Sequence, residues 1–123
     1  MGTNALRPAA AYKKVNLGAT AFHEKVVNYE MPQPGKLSDV GKAVIYFEDE
    51  IDLYLTFRRE KRDGTISADM SWLEYHERWK AKNNGTPLDK EKIKAHAEFR
   101  ALKKSEKLAE NVWFRDWYAG RKS

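Results

Sequence analysis

The stretch "IDLYLTFRREKRDGTISADM", Ile51–Met70, decides the fold because it satisfies two periods at once. In steps of two, Ile51, Leu53, Leu55 and Phe57 alternate with Asp52, Tyr54, Thr56 and Arg58. Beyond Asp63-Gly64, Ile66, Ala68 and Met70 alternate with Thr65, Ser67 and Asp69. Alternation on both sides of an Asp-Gly pair signals a β-hairpin, since its tight turn needs positive φ at both central residues. In steps of three to four, Val40, Val44, Phe47, Ile51 and Leu55 instead mark one face of a helix. The density of β-branched and aromatic residues favours strands over 51–60 and 65–70, with "KAVIYFE" (42–48) as a third. The helix is the alternative.

Downstream, the period becomes helical. Ser71 followed by Glu74 matches a capping box, and Trp72, Tyr75, His76 and Trp79 recur at helical spacing. Asn83-Asn84-Gly85 supplies residues that tolerate a left-handed cap. Pro87 suits the first position of a second helix, with Asp89 and Glu91 near its positive end. That helix is expected to reach about Tyr118, with a break near Ser105 allowed. Upstream, Pro8, Gly18, Pro32, Pro34 and Gly35 interrupt residues 1–36, and no sustained period appears.

The expected fold is therefore α+β. An extended basic arm (1–36) precedes a single small domain (37–123). That domain holds a small antiparallel β-meander, or hairpin, covered by two C-terminal helices. Trp72, Tyr75, Trp79, Leu102, Trp113 and Trp117 pack across it, because a three-stranded sheet needs such a cover. A three-helix bundle is the alternative.

Composition narrows the chemistry. The 123 residues suffice for one modest core. With no cysteine, thiol nucleophiles, disulfides and Cys-based zinc sites are excluded. His23, His76 and His96 lie apart, without the second His of a zinc-protease motif, and no Walker A, dinucleotide or nucleophile-elbow pattern occurs. "FEDEID" (47–52) holds four carboxylates but lacks EF-hand spacing, so no metal is expected there. No cofactor and no catalytic residue is assigned, and the chain reads as a non-enzyme.

No stretch approaches the ~20 apolar residues that span a bilayer. The first 23 residues carry no acid, as in a transit peptide, but the expected location is cytoplasmic or virion-associated, not secreted.

Charge points to the partner class. There are 23 Lys and Arg against 18 Asp and Glu, a formal +5. Residues 1–36, 37–60 and 61–123 carry +3, −3 and +5. Two cationic sets stand out: Arg58, Arg59, Lys61 and Arg62 at the expected hairpin tip, and Arg100, Lys103, Lys104 and Lys107 on the expected helix ridge. On that ridge His96 falls opposite the apolar stripe of Ala95, Phe99 and Leu102. The arm offers Arg7, Tyr12, Lys13 and Lys14 as contacts.

The expected function is that of an accessory or structural protein docking by its arm and charged surfaces into a larger assembly, such as a virion or nucleoprotein complex. The first alternative is sequence-independent nucleic-acid binding. The second is inhibition of a nucleic-acid enzyme, with the acidic 48–52 run set against a basic groove.

Overall fold

Ile51–Met70 forms no hairpin. In the computed structural model, which describes residues 4–36 and 44–122, Glu48–Asp63 is one helix. Two features decide between the periods. Glu48, Asp49 and Glu50 occupy its first turn, while Lys61 and Arg62 occupy its last, so the charges oppose the helix dipole at both ends. The buried residues are Ile51, Tyr54 and Phe57, three apart, and Tyr54 lies on what the strand reading made the polar face. Asp63-Gly64 then stops the helix. Gly64 sits at φ 78°, and the Thr65 N–H reaches back to the Glu60 carbonyl at 2.9 Å. A hairpin turn and a helix C-cap both demand positive φ, so the dipeptide does not distinguish them. Residues 64–71 form turns, not the expected second strand.

The sheet is small and built elsewhere. Strand β1 (Ala5–Leu6) and strand β2 (Gly35–Lys36) flank β3 (Val44–Phe47) in the order β1-β3-β2. Both pairings are antiparallel, with Leu6 opposite Tyr46 and Gly35 opposite Ile45. Only β3 lies in the expected third strand, whose residues 42 and 43, like Val40 of the helical reading, fall outside the described residues. A Cβ on Gly35 would stand 3.0 Å from the Phe47 ring, so glycine lets the two strands close there.

The extended-arm expectation is also corrected. Residues 8–15 form α1 (Pro8–Val15) and residues 19–27 form α2 (Ala19–Val27). Ala11 with Val15, and Phe22 with Val26, are i,i+4 pairs, and all four are buried. Each helix is only about two turns long, too short for a sustained period to stand out. Tyr12, expected to anchor a neighbour, meets Phe22 at 4.8 Å between ring centres. Phe22 in turn meets Tyr46 edge-on at 5.0 Å.

The first core cluster thus joins Ala11, Val15, Phe22, Val26 and Met31 to Tyr46, Ile51, Tyr54, Phe57 and Trp72. The Glu48–Asp63 helix is α3. Next comes α4 (Trp72–Asn84), where the Ser71 side chain accepts from the Glu74 N–H and Gly85 at φ 68° closes the C-terminus. The following helix, α5 (Lys90–Lys104), is capped by Asp89, which accepts from the Lys92 N–H. It therefore starts three residues after Pro87. It ends at Ser105, and Glu106 follows with φ 58°. Lys103 Nζ binds the Ala109 and Glu110 carbonyls at 2.6 and 3.0 Å, pinning the loop that separates α5 from α6 (Phe114–Lys122). A second cluster of Leu73, Ala95, Phe99 and Phe114 sits between α4, α5 and α6.

Among the described residues the chain is mostly helical, six helices beside one small antiparallel sheet. None of these helices is long and apolar enough to cross a membrane.

Candidate functional site

A cleft of about 290 Å³ opens where α3 meets the end of α2, the start of α4 and the middle of α5. Its cations come from three helices. Lys25 is in the last turn of α2, Arg58 and Lys61 stand one turn apart on α3, and Arg100 is on α5. The floor is aromatic, from Tyr54, Phe57 and Trp72, each at most 5% exposed. Arg58 lies 6.0 Å from the Tyr54 ring centre and Lys61 5.2 Å from that of Phe57. The charged heads themselves, the Arg58 Cζ and the Lys61 Nζ, thus lie over the aromatic floor.

Arg100 donates from Nη1 to the Asp69 carbonyl at 3.1 Å, which ties α5 to the turn before α4. One carboxylate, Glu30, also lines the cleft. Among the described residues, none of the four cations has a carboxylate within 4.0 Å. The Lys61 ammonium is held below its ordinary value, first by burial and then by Arg100; Asp69 and Glu30 oppose this. The cleft is therefore electropositive and partly desolvated.

His96 forms part of the wall and is 1% exposed, which corrects its expected place on the outward ridge. Its Nε2 lies 2.8 Å from the Asn28 carbonyl, so Nε2 carries the proton and donates. Burial first, then Arg100 and Lys92, lower its pKa against the raising effect of the Asn28 bond. At neutral pH the ring is therefore neutral, and among the described residues Nδ1 has no hydrogen-bond partner. Asn28 acts a second time: its Oδ1 accepts from the Phe114 N–H at 2.9 Å. Tyr29, next to it, has φ 56° and packs edge-on against Phe114 at 5.3 Å.

The structure brings together Arg58 and Lys61 from one predicted cationic set and Arg100 from the other. The remaining members lie outside the cleft. Arg59 is exposed, and Arg62 faces Asp63 at 3.5 Å. Lys103 is turned into the 105–110 loop, while Lys104 and Lys107 are exposed. Of the arm residues, Arg7 and Lys13 are exposed, and Lys14 pairs with Glu48 at 2.9 Å and Asp52 at 2.8 Å. Those hydrogen bonds raise the Lys14 pKa and lower that of Glu48. Sequence reasoning missed Lys25, which carries no local signal, and the wall position of His96.

The acidic run forms a different surface. Asp49, Glu50 and Asp52 of α3 face Trp79 of α4 across a shallow groove, and Trp79 is 37% exposed. Burial, then Asp49, raise the Glu50 pKa. Trp72 takes the core position expected of it, and Trp113 and Trp117 are half-buried. Among the described residues no three His, Asp or Glu side chains gather as metal ligands. No family model, curated protein or solved structure matches the chain.

Proposed function

We propose that this protein is a non-catalytic accessory factor that binds the phosphates of nucleic acid without reading base sequence. The observation that carries this is the convergence of Lys25, Arg58, Lys61 and Arg100, far apart in sequence, on one cleft with no ion-pair partner among the described residues. Convergent, unpaired cations over an apolar floor are what a phosphate anion needs, because partial desolvation strengthens the attraction. The cleft is too small for a duplex and suits one sugar-phosphate unit of a single strand.

A salt series on binding of a single-stranded oligonucleotide tests this. Affinity falls steeply with salt, with a log–log slope of about −0.7 per phosphate neutralised. Arg58→Ala and Arg100→Ala each make the slope shallower by roughly one such step, while Lys104→Ala, outside the cleft, changes it less. Absence of binding at low salt rejects the proposal.

A second reading, docking into a larger assembly, is supported by the Trp79 groove. A half-exposed tryptophan rimmed by Asp49, Glu50 and Asp52 suits a basic protein segment with an apolar anchor. Trp79→Ala then releases the protein from its native assembly, and retention of Trp79→Ala there contradicts this. The inhibitor reading requires free carboxylates at 48–52, and Lys14 occupies two of them.

A further inference from the structure

Resting on the nucleic-acid reading above, we infer that the cleft recognises a terminal phosphomonoester, the phosphorylated end of a strand, in preference to the internal phosphodiesters of its backbone.

The argument is charge matching. Lys25, Arg58, Lys61 and Arg100 bring four positive charges to the cleft. Glu30 on the wall and Asp69, whose field reaches Lys61, bring two negative ones. His96 is neutral and adds none. Two positive charges therefore stand unmatched. An internal phosphodiester supplies one negative charge and two free oxygens. A monoester supplies about −1.5 to −2 at neutral pH and three strong acceptor oxygens.

The donors suit the larger anion. Arg100 commits Nη1 to the Asp69 carbonyl, and a guanidinium has five N–H groups in all. Arg58 is exposed apart from the Tyr54 ring beneath it, and Lys61 adds a half-buried ammonium at 5.2 Å from the Phe57 ring centre. An ammonium that has lost part of its hydration gains more from a dianion than a solvated one does. The volume, about 290 Å³, takes one phosphate and its sugar.

The test uses the full chain and trinucleotides carrying a 5′-phosphate, a 3′-phosphate or neither, with binding read by NMR titration at about 0.15 M salt. Short probes limit the contribution of the backbone. The expected result is about tenfold tighter binding of at least one phosphorylated probe, the effect of one added charge-assisted contact. Arg58→Ala and Lys61→Ala each bring the ratio toward one, Lys61→Arg restores it, and Arg59→Ala leaves it unchanged. Equal binding of all three probes overturns the inference and leaves the nucleic-acid reading standing. Failure of even a long unphosphorylated strand to bind at low salt overturns both. Tighter binding of a phosphoserine peptide than of any phosphorylated trinucleotide also overturns the assignment, in favour of a protein ligand.

Discussion

Replacing Phe22 by alanine tests whether the N-terminal segment belongs to the core. The side chain is 0% exposed and its ring lies between those of Tyr12 and Tyr46, at 4.8 and 5.0 Å. Truncating a buried phenylalanine costs about 3–5 kcal/mol, and each lost ring pair accounts for roughly 0.5–1.5 of that. At about 0.05–0.15 kcal/mol per residue, a chain of this length has roughly 6–18 kcal/mol of stability, so the variant still folds. With a urea slope of about 2 kcal/mol per molar, a loss near 4 kcal/mol lowers the unfolding midpoint by about 2 M. Urea titration followed by tryptophan fluorescence reads this directly, since Trp72 sits in the same cluster. A free arm would give a change within about 0.5 kcal/mol, as surface substitutions do. A midpoint shift below about 0.3 M would therefore refute the packing of α1 and α2 described above.

Three further outcomes are expected. His96 and His76 are both held below their ordinary 6.5, chiefly by burial, so the unfolded chain binds more protons in acid. Stability is thus full above that value and falls as pH drops from it toward the folded pKa, by up to about 1.4 kcal/mol per pH unit for each ring; a flat stability profile below 6.5 contradicts this. Gly64→Ala, placing a Cβ at φ 78°, destabilises by about 1–2 kcal/mol, and Gly64→Asn by less, both measurable by thermal denaturation. Ser71→Ala removes the acceptor for the Glu74 N–H and lowers stability by about 1 kcal/mol in the same assay.

The helical end of the chain was legible because its signals are local and redundant. Ser71 with Glu74 starts α4 and Gly85 stops it, as the sequence indicates. Ile51–Met70 is ambiguous in sequence because its composition suits both periods, and an Asp-Gly pair ends a helix as readily as it turns a hairpin. The burial of Tyr54 settles it, and burial is a property of the neighbours, not of the stretch. Pro87 suits a helix start, yet Asp89, which can accept from an N–H, caps the helix instead.

The cationic cleft was half legible. Arg58 and Lys61 stood out as a charge cluster, and Arg100 as part of a ridge, but their meeting depends on how α5 crosses α3. His96 shows the same limit. Counting 100° per residue places it on the basic side of α5, where Arg100 and Lys104 are exposed, but at its own turn the Asn28 carbonyl and the Phe114 ring make an interior.

Asn28 carries a consequence for how the molecule opens. Its carbonyl holds α5 and its side chain holds the first residue of α6, so a single residue fastens the C-terminal pair to the segment that ends α2. Among the described residues the pair is otherwise held by its contacts to α4, the Arg100 bond to the Asp69 carbonyl and the Tyr29 ring, so losing the side chain frees the start of α6 while the carbonyl still holds His96 of α5. In Asn28→Ala, which keeps that carbonyl, amide protons of α6 should exchange with deuterium about tenfold faster or more, while those of α1 and α3 keep their protection. Uniform acceleration across all the helices would mean instead that the two clusters melt as one.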